Sequence, residues 1–153
     1  MKTIFAAVAL AAALVQPAAA VTFPSLTTIY VGSGVTDSGD AAHVGVATTF
    51  MCTNVSGKPA AVRFLVLSLV GTVVGSLTTG IQLGQSAVAS THGTLVFNDA
   101  GMSTGIVQGV VNIESTESAM FCTALIVDAS SATPAFSAGI HLVPVNPHPG
   151  TVE

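Results

Sequence analysis

The chain has 153 residues, of which 50% are hydrophobic and only 7% charged, with three Lys or Arg, seven Asp or Glu and a formal net charge of −4. That length predicts a single domain. So few cations exclude a surface that neutralises a row of phosphates or an anionic lipid face, so neither nucleic acid nor a polybasic membrane attachment is expected as a partner.

The first residues carry the strongest local signal. Lys2 precedes an apolar run from Ile4 to Val15, followed by Gln16-Pro17 and Ala18-Ala19-Ala20. A charged start, an apolar middle and a small-residue exit are the plan of a secretory signal peptide. The run falls short of the ~20 apolar residues that span a bilayer. The expected organisation is a signal peptide over residues 1–20 and one domain over residues 21–153, exported to the periplasm or the extracellular space. No second apolar run reaches spanning length, and Val21 rather than Cys follows the cut, so no stable membrane anchor is expected. Removing 20 of the 153 residues leaves 133, with Lys58 and Arg63 against seven acids and a net charge of −5. The surface must then be built from Ser, Thr, Gly, Asn and Ala, and charge that sparse opposes association only weakly.

After the leader, helical periodicity is missing. Short runs of β-branched and apolar residues recur, cut by Gly, Pro, Asn and Asp. Leu26 to Val31 is the first strand, with a Gly/Ser/Asp loop from Gly32 to Asp40. His43 to Asn54 is the second, and Val44, Val46, Thr48, Phe50 and Cys52 share one face by the period of two. Ser56-Gly57-Lys58-Pro59 is a turn. Ala61 to Val70 is a strand apolar on both faces: Val62, Phe64 and Val66 on one, Leu65, Leu67 and Leu69 on the other. That pattern predicts a central strand or one beneath a partner. Thr72 to Leu77, Ser86 to Ser90, Thr91 to Phe97, Ile106 to Ile113, Ala119 to Val127 and Phe136 to Val145 complete the set.

So many short strands with turn signals between them predict an all-β fold, an antiparallel β-sandwich. A membrane β-barrel is the rival, but one Tyr and no Trp cannot build aromatic girdles. An even cysteine count in an exported chain predicts a disulfide, Cys52–Cys122, the alternative being two buried free thiols. Two cysteines within strands far apart in sequence resemble, in placement, the inter-sheet bridge of immunoglobulin-like domains. The resemblance implies an immunoglobulin-like architecture with a bridge joining two sheets. The chain departs from it in having no Trp and in carrying Met120 where the tyrosine corner would stand.

Chemistry is sparse. Gly101-Met102-Ser103-Thr104-Gly105 matches G-x-S-x-G, but that nucleophile motif needs a strand–turn–helix, and here it lies between strands and reads as a turn. His43, His92 and His141 fall in or beside strands without a local metal-ligand spacing, and His148 sits between prolines. Asp37 and Asp40 fail the calcium-loop pattern and read as a solvated loop. Glu114 and Glu117 read as a solvated turn. Asn54-Val55-Ser56 is a glycosylation sequon. No catalytic residue, bound cofactor or metal site is therefore expected. The chain reads as an exported, non-catalytic β-sandwich with a structural or interaction role, associating with a protein partner or with itself at the cell surface or in the periplasm. Leu26 to Val31 is the segment expected to exchange between copies. The alternative reading is a small exported metal-binding protein that uses the strand histidines.

Overall fold

A computed structural model describes residues 25–39, 41–106 and 108–145; the leader 1–20, Val21, Asp40 and His148 lie outside the described residues. Ten strands follow one another: β1 (Thr27–Val35), β2 (Val46–Asn54), β3 (Ala60–Ser68), β4 (Val73–Ile81), β5 (Ser86–Ser90), β6 (Ala100–Gly101), β7 (Gly109–Ser115), β8 (Met120–Asp128), β9 (Ser137–Ile140) and β10 (Leu142–Pro144). They form two five-stranded sheets, ordered β10-β1-β7-β3-β4 and β6-β5-β2-β8-β9. Every pairing is antiparallel except β5 with β6. Among the described residues there is no helix.

The alternation in β2 and β3 builds the interior. Thr48, Phe50 and Cys52 point inward from one sheet, Val62, Phe64 and Val66 from the other, and all six are fully buried. The rings of Phe50 and Phe64 meet between the layers with centroids 6.1 Å apart. Val111 and Ile113 of β7 complete this centre. Burying each large side chain contributes about 1.5–3 kcal/mol. β3 is an interior strand between β7 and β4, as its two apolar faces predict. Its outer residues Leu65 and Leu67 are half-buried and Leu69 is exposed.

The disulfide forms, but in a different place from the one its resemblance implies. Cys52 lies directly opposite Cys122 in the β2–β8 ladder, with Cα atoms 4.2 Å apart. That is the spacing of a narrow antiparallel pair, whose side chains leave the same face of one sheet. The bridge therefore joins neighbouring strands within a sheet and does not tie the two layers together. It closes a loop of 70 residues, worth about 4 kcal/mol in the chain-entropy view.

Several strand assignments change: the second strand starts at Val46, which leaves His43 and Val44 outside it, and the strand expected from Ile106 starts at Gly109. β1 runs on to Val35 through the expected loop; a β-carbon at Gly32 would lie 2.8 Å from Leu142 Cδ2, so the glycine marks a close approach and not a stop. β1 also lies between β10 and β7, so the strand expected at Leu26 to Val31 is paired on both sides. β4 is longer than the expected Thr72 to Leu77. Thr91 to Phe97 forms no strand: Asp99 accepts from Thr94 N and Oγ1 and folds the segment back on itself. Phe136 to Val145 splits at His141, with β9 pairing β8 in one sheet and β10 pairing β1 in the other.

Asn54 ends β2 as a buried junction. Its Nδ2 donates to Lys58 O at 2.8 Å and Ile81 O at 3.3 Å, and its Oδ1 accepts from Ser56 N and Oγ. The sequon amide is thus engaged inside the fold. Replacing both cysteines by alanine is expected to lower stability by about 2–4 kcal/mol in urea unfolding. Asn54→Ala is expected to cost about 2–3 kcal/mol in the same assay, because the Ile81 carbonyl loses a buried donor and Ser56 N loses its acceptor.

Candidate functional site

At one end of the sandwich three irregular segments converge: the β1–β2 connection, the chain after β5, and the chain after β6. Asp37, from the first, was expected in a solvated loop; it is buried, at 3% exposure, because the other two segments close over it. Its Oδ1 accepts from His92 Nδ1 at 2.5 Å. Its Oδ2 accepts from Thr104 Oγ1 at 2.7 Å and from Gly105 N at 3.1 Å. An ionised carboxylate only accepts, so Nδ1 is the donor of this bond, and in the neutral form of the ring the lone pair falls on Nε2. That Nε2 is buried and has no hydrogen-bond partner among the described residues. A buried polar atom left unpaired costs about 1–3 kcal/mol.

Threonines fix these segments to the sheets. Thr48 Oγ1 of β2 donates to Thr36 O and accepts from Thr36 N, which holds the chain before Asp37. Thr48 N donates to Thr91 Oγ1, which holds the chain before His92. Met102 N donates to Ser90 O at 2.8 Å and Thr104 N to Thr91 O at 3.0 Å, so residues 102–104 extend the parallel β5–β6 pairing. Thr104 then seats on Gly75 of β4, where a β-carbon would lie 2.5 Å from Thr104 Cγ2.

Beside the pair lies a cavity of about 180 Å³, lined by Asp37, Gly39, Ala41, Ala42, His92 and Ser103. Among the described residues two non-glycine positions have positive φ, His43 at 64° and Ser103 at 53°. Ser103 lines this cavity, and His43 N donates to Gly93 O, next to His92. Backbone held in that region costs of order 1–3 kcal/mol and tends to gather where function needs it.

The other candidate residues scatter. His43 and His141 are exposed, and His92 has Nδ1 committed to Asp37. Among the described residues no group of three or more His, Cys, Asp or Glu is placed to hold a metal. Glu114 and Glu117, expected in a solvated turn, are largely covered instead: Glu114 lies in β7 and pairs with Arg63 of β3, and Glu117 pairs with Lys58 at 3.0 Å.

A second feature lies along β4. It is the edge of its sheet and has nine residues, where the other edges β10, β6 and β9 have three, two and four. Between its C-terminal half and β5 of the other sheet runs a groove of about 480 Å³, lined in part by Leu77, Thr79, Ile81, Ser86 and Val88.

Comparison with protein-family profiles, curated proteins and solved structures gives no match. The buried pair has a measurable weight: Asp37→Ala strands His92 Nδ1, the Thr104 hydroxyl and Gly105 N together. It is expected to cost about 3–5 kcal/mol in urea unfolding, against about 1–2 kcal/mol for Thr104→Val.

Proposed function

We propose that the protein is an exported β-sandwich with a structural and interaction role, which associates with a second copy of itself through β4. The observation that carries this reading is the β4 edge. Val73-Val74-Gly75-Ser76-Leu77-Thr78-Thr79-Gly80-Ile81 contains no charge and no proline. Those are two of the devices that keep an exposed edge from pairing; an irregularity at Val74 interrupts the ladder near the start of β4 and leaves Gly75 to Ile81 as the regular edge. Two such edges meeting antiparallel about a two-fold axis form an isologous contact, with each copy offering the same surface. They would join two five-stranded sheets into one sheet of ten.

Electrostatics favours the same outcome. Lys58 and Arg63, the two cations outside the leader, are held in ion pairs on the chain itself. Each mature copy would carry a net charge of −5, but the β4 edge has no charged residue, so the contact itself sets no like charges opposite each other. Export, with residues 1–20 as the signal peptide, is supported by the Cys52–Cys122 bridge, since such bonds persist mainly in oxidising compartments. An immunoglobulin-like architecture is supported by the two packed sheets, and the position of the bridge within one sheet counts against a closer kinship.

Light scattering after size exclusion, on residues 21–153 recovered with the bridge intact, is expected to give a dimer. Ser76→Lys/Thr78→Lys changes two exposed β4 side chains and is expected to give a folded monomer. A parent protein that stays monomeric at high concentration, or a double variant that stays dimeric, would overturn the proposal.

A further inference from the structure

We propose that Ser103 is a nucleophile activated by the Asp37–His92 pair, making the cavity beside them a site for transfer of a short acyl group from an ester. This goes beyond the edge-to-edge association and is independent of it. It also runs against the expectation, read from the sequence, of a non-catalytic chain. That expectation rested on the missing strand–turn–helix around G-x-S-x-G; the fold replaces it with another way of presenting the serine.

Four observations bring the parts together. The carboxylate of Asp37 holds His92 by Nδ1 and is itself held by Thr104 and Gly105, so the imidazole is oriented and its proton placed. Nε2 is left without a partner, although nearly every buried polar atom in a folded protein finds one. Ser103 is exposed and lines the same cavity as His92, while the hydrogen bonds of its neighbours Met102 and Thr104 to Ser90 and Thr91 run it alongside the chain that leads into His92. Its φ of 53° is a conformation a serine seldom adopts without cause. A carboxylate that orients a histidine, and a histidine that takes the proton of a serine, are recognised by geometry and role and recur on unrelated folds. No hydrogen bond joins Ser103 to His92 among the described residues; contacts of this kind are commonly loose before substrate binds.

In the proposed reaction Ser103 Oγ attacks the ester carbonyl carbon and its proton passes to His92 Nε2. The bond to the leaving oxygen breaks, and that oxygen takes the proton from Nε2 and departs as the alcohol. Water then attacks the acyl carbon, giving its proton to Nε2. The bond to Oγ breaks, Oγ recovers the proton, and the acid leaves. The small residues Gly39, Ala41 and Ala42 and the volume of about 180 Å³ fit a short acyl group.

The test is labelling of the disulfide-bonded protein with a fluorophosphonate, followed by peptide mass mapping. The expected result is one adduct on Ser103, absent from Ser103→Ala and absent from urea-unfolded protein. Asp37→Asn, checked for fold by circular dichroism, is expected to slow labelling at least 100-fold, because the histidine loses its correct tautomer. No adduct on the native protein would overturn the proposal, as would equal labelling of native and unfolded chains. An unchanged rate in folded Asp37→Asn would also overturn it. The Ser103 and native-against-unfolded comparisons decide the matter even where Asp37→Asn fails to fold.

Discussion

One buried carboxylate organises the irregular end of this sandwich. Asp37 accepts hydrogen bonds from His92, Thr104 and Gly105, residues far from it in sequence, and so links three segments that lie at the margins of the sheets. A buried anion is tolerable only when its lone pairs are used. Here they are used by donors that the two sheets position, through the Thr48 contacts to Thr36 and Thr91 and through the extension of β6. The cavity, the oriented imidazole and the placement of Ser103 all follow from that arrangement. The carboxylate adds to the backbone and threonine contacts that already tie each segment to the sheets, and it is the one side chain that touches all three.

The two halves of the molecule are stabilised by different means. The layers adhere through the interior of Phe50, Phe64, Val62, Val66, Val111 and Ile113. The disulfide acts inside one layer, clamping β2 to β8 beside that interior. A sandwich whose sheets are held by packing alone leaves its sides open where the covering strands are short. One such side lies along β4, a strand in which no charged residue defends the edge.

Much of this was legible in the residues. The period of two in β2 identified Thr48, Phe50 and Cys52 as one face, and Ser86–Ser90 is a strand with the bounds its apolar run suggests. The double-faced apolar pattern of β3 marked an interior strand. Other features depend on facts the chain does not write locally. Cysteine count speaks for a bridge, but only strand order decides whether it lies within a sheet or between sheets. Thr91 to Phe97 has the composition of a strand, yet Asp99 turns it into a closed loop. Phe136 to Val145 reads as continuous because nothing local signals a change of sheet at His141. Asp37 sits in a Gly/Ser stretch that looks solvated, and its partner His92 is 55 residues away with no spacing rule to connect them. Ser103 could be seen in its motif, but its neighbours could not.

The most direct test of the central arrangement is the nitrogen and proton NMR spectrum of the His92 ring in the native protein. Protonation at Nδ1, with a strongly downfield and slowly exchanging proton and a lone pair on Nε2, is the expected state. A ring protonated at Nε2, or one that averages rapidly between tautomers, would contradict the carboxylate-held imidazole on which the site depends.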